Sequence, residues 1–127
     1  MTVADEDFFY RRVRWAKRTT DQRSGEIRPS SDSFRDSTDP PSPMSGLLRS
    51  VVLASGRSID SLVPGDGGDA LVEFEVGDLR RHGFDVVASP EEDEPAHAHV
   101  VGDKDKRSTR RLLADLARWT VTPVGET

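Results

Sequence analysis

Polar and apolar residues alternate along residues 70–76, with Val72, Phe74 and Val76 on one side of an extended chain. A period of two is the pattern of a strand that buries one face. The segments FDVVAS and HAHVVG follow the same pattern, and the proline-bounded acidic loop between them predicts a hairpin. Only seven residues, GDLRRHG, separate the first strand from FDVVAS, which is too few for a parallel crossover. The sheet is therefore predicted to be largely antiparallel.

Residues 5–18 interleave aromatic residues with cations and fit either a strand or a helix. We predict a strand, because the segment FFYRRV is rich in residues that favour β structure. In a strand, Arg11 shares one face with Phe9 and Val13. Arg12 and Arg14 project from the other face.

Four further segments complete the predicted elements. Residues 47–54, LLRSVVLA, are typical of a buried strand, and SGRSIDSLV after them predicts a short helix. GDLRRHG predicts about two helical turns, with Asp78 as the N-cap and Gly83 after the end. Apolar residues at helical spacing predict a helix from about Ser108, its capping residue, to Trp119. The predicted fold class is α+β, a small, largely antiparallel sheet covered on one face by this C-terminal helix.

Residues 19–46 differ in composition from the rest of the chain, with seven serines and four of the eight prolines. Their only sizeable apolar residues are Ile27, Phe34 and Met44, so the segment cannot form a core of its own. We predict a single domain over residues 1–127 in which 19–46 is a long polar loop or a disordered segment, with Phe34 as a candidate anchor. Loops of this length tend to be lids, partner-binding segments or linkers.

The overall composition excludes several classes of function. A net charge of -5 argues against a protein that coats nucleic acid or an anionic membrane with its whole surface. The absence of cysteine excludes disulfides, thiolate catalysis and cysteine-ligated metal centres. No apolar run approaches the span of a bilayer, so we expect a cytoplasmic protein with no membrane partner. The preference for arginine over lysine is typical of a GC-rich genome and suggests a bacterial source.

Positive charge is concentrated at the start of the predicted C-terminal helix, where the helix dipole disfavours cations. The residue three positions after the capping serine is arginine, so a capping box is missing, and free N–H groups together with cations could receive a phosphate. The alternative is that nearby aspartates neutralise the turn and the arginines point to water. The predicted anion-binding residues are Lys104, Lys106, Arg107, Ser108, Arg110 and Arg111.

Two other sets of side chains are weaker candidates. His97 and His99 lie two residues apart on a predicted strand, so both imidazoles project from one face and could share a metal, although a polar strand face explains them more simply. A third metal ligand would have to come from the acidic residues 91–94 or from His82. Arginines among aromatic residues can also hold phosphates and stack bases, or simply extend over apolar neighbours. The alternative nucleic-acid-binding residues are Arg11, Arg12 and Arg14.

Glu73 and Glu75 share one face of their strand, and paired carboxylates can perform acid/base chemistry. The spacing resembles the Glu-x-Glu element of arginine-type ADP-ribosyltransferases, and Arg11 or Arg12 with a later serine would complete that family's pattern. The resemblance implies transferase activity, whereas a solvent-facing strand explains the pair without one. No P-loop, nucleophile elbow or His-Glu-x-x-His motif is present.

These observations rank three functions. The first is a non-enzymatic protein-interaction or accessory module that meets a protein partner through the exposed sheet face or the 19–46 segment. The alternative is binding of a phosphate ligand or nucleic acid at the basic helix start. The third is a small enzyme, either metal-dependent or ADP-ribosyltransferase-like. The sequence does not indicate a cofactor, an oligomeric state or the identity of the partner.

Overall fold

A computed structural model describes residues 2–38, 41–63 and 68–122. The strands are β1 (Phe8–Arg14), β2 (Arg18–Thr20), β3 (Ile27–Pro29), β4 (Ser37–Thr38), β5 (Pro41–Ser42), β6 (Met44–Leu48), β7 (Asp69–Glu75), β8 (Asp85–Ala88), β9 (His97–Val101) and β10 (Arg118–Val121). The α-helices are α1 (Arg49–Ala54), α2 (Val76–Arg81) and α3 (Arg107–Leu116). Single 3-10 turns span Trp15–Lys17, Ser31–Phe34 and Ile59–Leu62.

Six strands form one sheet in the order β10-β7-β1-β6-β9-β8. All of its pairings between described residues are antiparallel. β8 and β9 form the predicted hairpin, and β7 and β8 are not neighbours, which is consistent with a connection too short for a parallel crossover. The fold is therefore α+β, an antiparallel sheet with a C-terminal helix, as predicted. No helix in the described ranges is long and apolar enough to cross a membrane.

The main core lies on the sheet face that carries Phe9, Val72 and Phe74, all of which are buried. Alternation along β1 and β7 places these residues on one side, because Phe9 pairs with Phe74 across the two strands. Helix α3 and the 31–34 turn pack on this side and contribute Leu113 and Phe34 to the same cluster. The predicted faces of both strands are confirmed.

The opposite face of the sheet is covered only in part. Tyr10 and Leu71 are buried there beneath α1 and the 59–62 turn, which contribute Val52 and Leu62. The later residues of β1 and the histidines of β9 on this face are exposed or half-buried, so the described elements leave part of it open. The two faces therefore differ, one closed by α3 and one partly open.

The described residues of the 19–46 segment pack against the sheet. They form two short hairpins, β2–β3 and β4–β5, with the 31–34 turn between them. Phe34 is fully buried, and its ring meets that of Phe74 edge-on at a centroid distance of 5.6 Å. The Asp36 Oδ1 atom accepts a hydrogen bond from the Met44 N–H at 2.8 Å, which closes the second hairpin. The candidate anchor Phe34 thus joins this segment to the core.

Two predicted element types are wrong. The run LLRSVVLA is not one strand: β6 ends at Leu48 and α1 begins at Arg49. A short apolar run does not distinguish a strand from a helix, and here the helix buries Val52 over the second face of the sheet. The C-terminal helix ends at Leu116, and Trp119 lies in β10, which pairs with the edge of β7. Pairing satisfies backbone groups of β7 that would otherwise remain open.

Both predicted helix caps are also wrong. The N-cap of α2 is Glu75, and Asp78 lies within the first turn. The N-cap of α3 is Lys106, whose side chain makes no capping hydrogen bond, so Ser108 lies inside the helix. Each helix begins earlier than the first good capping residue because tertiary packing outweighs a local preference of about 1 kcal/mol. Gly83 does follow the end of α2, with a φ of 90° that favours glycine.

Candidate anion-binding site

The structure separates the six residues predicted to bind an anion into two groups. The Lys104 side chain is buried, and its Nζ donates to the Gly102 carbonyl at 2.9 Å and lies 2.8 Å from Asp36 Oδ1. Arg110 is also buried, and its Nη1 donates to the carbonyls of Lys104 and Asp105 at 2.8 and 2.7 Å. These two cations hold the turn before α3 in place and do not face solvent.

The remaining four predicted residues, Lys106, Arg107, Ser108 and Arg111, are exposed. Arg107 and Arg111 are one helical turn apart, and both line a cavity of about 250 Å³ between α3 and the β2–β3 hairpin. Lys106 and Ser108 do not line it. We call this cavity the arginine pocket, and its lining residues are Thr19, Arg28, Pro29, Ser30, Ser31, Arg107, Arg111 and Ala114.

Three arginines line the arginine pocket, and the pairing of their guanidinium groups is unequal. Arg28 Nη1 lies 2.5 Å from Asp115 Oδ1 and 3.5 Å from Asp21 Oδ2. The guanidinium groups of Arg107 and Arg111 make no ion pair or hydrogen bond with any residue in the described ranges. The pocket therefore contains positive charge that the described part of the chain does not neutralise.

Hydroxyl groups add hydrogen-bonding capacity to the arginine pocket. The Ser30 Oγ accepts a hydrogen bond from the Asp32 N–H at 3.4 Å, which caps the 31–34 turn and leaves the hydroxyl proton available to a ligand. Thr19 and Ser31 supply two more hydroxyl groups from the same side. Sequence analysis missed these residues and Arg28, because they lie far from α3 in the chain and have no distinctive local pattern.

The three arginines of the alternative nucleic-acid surface lie on different faces of the sheet. Arg11 is half-buried on the face covered by α3, where Nε donates to the Ser33 carbonyl at 2.8 Å and Nη1 to the Ser45 carbonyl at 2.7 Å. Burial lowers the pKa of Arg11, and the charge of Asp36 opposes that shift. Arg12 and Arg14 are exposed on the opposite face. The interleaved pattern therefore does not form one cationic surface.

The two histidines of β9 contact each other, with ring centroids 4.8 Å apart in an edge-on arrangement. His97 Nδ1 lies 2.9 Å from the Ser89 carbonyl oxygen, and its Nε2 lies 3.9 Å from Glu91 Oε1. Burial, followed by the charge of His97, lowers the pKa of His99. No group of three or more histidine, aspartate or glutamate residues that could hold a metal is present in the described ranges.

The glutamate pair of β7 lies on the open side of the sheet, with Glu73 opposite Tyr10 and Glu75 opposite Phe8. Glu75 Oε1 is 3.6 Å from an Arg81 Nη atom. Burial is the main cause of a raised pKa for Tyr10, and a hydrogen bond with Glu73 adds to it. Arg11 lies on the other face of the sheet from both carboxylates, so of the two arginines that the family pattern could use, Arg12 shares their face.

The arginine pocket is therefore the place where the structure brings predicted and unpredicted polar residues together. It combines unpaired guanidinium groups with hydroxyl donors at one concave surface. Comparison with known proteins adds no assignment: no family model, no curated protein and no solved structure matches the chain.

Proposed function

We propose that the protein is a binding module for a phosphate-bearing ligand, which it holds in the arginine pocket. The observation that carries this proposal is that Arg107 and Arg111 face one cavity with no anionic partner among the described residues. Guanidinium groups present several N–H donors in a planar fork that matches phosphate oxygens, and such charge-assisted hydrogen bonds are stronger than neutral ones.

The position of the two arginines supports an anionic ligand. Arg107 is the first residue of α3, where the partial positive charge of the helix makes a further cation unfavourable. Arg111 lies one turn later on the same side and adds a second like charge. An anion between them would relieve the repulsion, and the hydroxyl groups of Ser30 and Ser31 could donate to its remaining oxygens.

The size of the arginine pocket favours a compact phosphate group. The cavity is about 250 Å³ and opens between α3 and the β2–β3 hairpin. With a net charge of -5, the chain as a whole repels a long polyanion, so a local pocket is a better match for a phosphate monoester or diphosphate than for extended nucleic acid.

Calorimetric titration with inorganic phosphate and pyrophosphate tests the proposal directly. We expect the double substitution Arg107→Gln and Arg111→Gln to weaken binding by about a hundredfold or more, because it removes two charge-assisted hydrogen bonds worth about 1.5–3 kcal/mol each. Lys106→Gln is the matched control: it removes one positive charge from the same helix start but lies outside the pocket, so affinity should fall by about twofold or less.

Two results would reject the proposal. One is an absence of phosphate and pyrophosphate binding at low ionic strength, where electrostatic attraction is strongest. The other is equal weakening by the Lys106 and the Arg107/Arg111 substitutions, which would indicate a diffuse field without a pocket. Binding of a single-stranded oligonucleotide but not of pyrophosphate would instead support the nucleic-acid hypothesis. Interaction with a protein partner stays a prediction.

A further inference from the structure

A second cavity lies on the opposite face of the sheet, away from α3 and the arginine pocket. It has a volume of about 360 Å³, and its apolar side is formed by Leu47, Leu62 and Leu71. Leu62 and Leu71 are buried members of the cluster under α1 and the 59–62 turn, so this side of the cavity is a fixed part of the fold. We call this cavity the sheet-face pocket.

The other side of the sheet-face pocket is polar, with Arg12, Ser45 and His97 from three neighbouring strands. Arg12 is exposed, and its guanidinium makes no hydrogen bond or ion pair with a residue in the described ranges. Its neighbour across the β1–β7 pair is the apolar Leu71, which cannot neutralise it. The pocket thus contains one unpaired cation beside an apolar wall.

Among the described residues that line the sheet-face pocket, Glu94 is the one carboxylate, and its charge is already engaged. Arg57 Nη1 and Nη2 donate to Glu94 Oε2 and Oε1 at 2.8 and 2.7 Å, and the Ala96 N–H donates to Oε1 at 3.1 Å. The bond from Arg57 is the main reason why the pKa of Glu94 lies below its usual value. Because Glu94 is paired, Arg12 carries the unpaired charge on this face among the described residues that line the pocket.

We infer that the sheet-face pocket binds a small organic acid, a molecule with one anionic head group and an apolar body. The head group pairs with Arg12 and accepts a hydrogen bond from the Ser45 hydroxyl, while the apolar body lies against Leu47, Leu62 and Leu71. His97 lines the pocket without being assigned a contact to the ligand, because its Nδ1 bonds the Ser89 carbonyl and its Nε2 lies 3.9 Å from Glu91 Oε1. The inference is independent of phosphate binding, because the two pockets lie on opposite faces of the sheet.

Three probe molecules test the charge contact and the apolar contact separately. They are phenylacetate, its neutral isostere phenylacetamide, and acetate, which lacks the apolar body. We expect phenylacetate to shift the amide NMR signals of Ser45, Gly46 and Leu47, with affinity at least about tenfold above that of either other probe. Shifts confined to Thr19, Arg28 and Arg107 would place the acid in the arginine pocket and would overturn the inference.

Arg12→Gln should weaken phenylacetate binding by about tenfold, because it removes the charge that pairs with the head group. Arg14→Gln is the matched control, since Arg14 is exposed on the same strand and the same face but does not line the pocket; its effect should be about twofold or less. Equal affinity for phenylacetate and phenylacetamide, equal effects of the two substitutions, or no shift at Ser45–Leu47 at saturating probe would each overturn the inference.

Discussion

Lys104 Nζ lies 2.8 Å from Asp36 Oδ1, and only 2% of the Lys104 side chain is exposed to solvent. This ion pair joins the turn before α3 to the 19–46 segment. Because the same Asp36 oxygen also accepts the Met44 N–H at 2.8 Å, one carboxylate connects α3, the β4–β5 hairpin and the start of β6. A cation that could have faced an external anion is thereby used inside the protein.

Asp36→Ala should destabilise the fold, because it leaves the buried Lys104 ammonium with the Gly102 carbonyl as its hydrogen-bond partner in the described ranges. Breaking a buried pair costs about 3–5 kcal/mol, and the partial exposure of Asp36 reduces our expectation to about 2–3 kcal/mol. Urea unfolding measures this change. Asp32→Ala, which breaks the exposed pair with Arg35, should leave the unfolding midpoint nearly unchanged, and equal midpoints for both variants would contradict the prediction.

Phe34→Ala tests whether the 19–46 segment is a structural part of the domain. The buried Phe34 ring packs edge-on against Phe74, so its removal leaves a cavity in the main core and should cost about 3–5 kcal/mol of unfolding free energy. The control Ile27→Ala, at a side chain that is 38% exposed in the same segment, should cost about 0.5 kcal/mol or less. A loss below about 1 kcal/mol for Phe34→Ala would show that the segment does not contribute to the core.

Gly46→Ala should be among the most disruptive single-methyl additions to the sheet. A Cβ atom at Gly46 would overlap the Tyr10 carbonyl oxygen and the Phe9 ring, and the backbone of β1 cannot move without breaking its pairing. We expect a loss of about 3 kcal/mol or more, measured by thermal or urea unfolding. Gly68→Ala is the control, since no heavy atom lies within 4 Å of a Cβ there. Similar stability of the two variants would contradict the close approach of β1 and β6.

The stability of the protein should depend on His99 below neutral pH. Burial is the main reason why the pKa of folded His99 lies below its ordinary value of 6.5, and the charge of His97 adds to this shift. The unfolded chain therefore binds the proton first, so the free energy of unfolding falls as the pH falls through about 6.5 towards the folded pKa. Carboxylates whose pKa is lowered in the folded chain, such as Glu94, lose their contribution to the free energy of unfolding at still lower pH.

His99→Gln should remove part of this dependence, so the variant should lose less stability than the wild type between about pH 7.5 and 5.5 in urea unfolding. His82→Gln, at an exposed side chain, should retain the wild-type dependence. If the free energy of unfolding changes equally with pH in the wild type and in His99→Gln, His99 binds its proton equally well in the folded and the unfolded chain, and the prediction is wrong.

The candidate sites were only partly predictable from the chain. Arg107 and Arg111 were found because a cluster of cations at a helix start is a local feature. Lys104 and Arg110 belong to the same cluster, but their partners, Asp36 and the carbonyls of the preceding turn, direct them inward. Arg12 was expected to act with Arg11, whereas strand alternation and the pairing of β1 place the two on opposite faces.

The sequence by itself determined the antiparallel sheet, the β8–β9 hairpin and the faces of β1 and β7, because period-two alternation and short connections are local properties. Only the tertiary structure decided where α1 begins, that Trp119 lies in a strand, and that Arg28 lines the same pocket as Arg107 and Arg111. These features depend on contacts between residues distant in the chain: the open edge of β7 pairs with β10, and the β2–β3 hairpin packs beside α3. Local propensities of about 1 kcal/mol are smaller than the burial and pairing energies that such contacts supply.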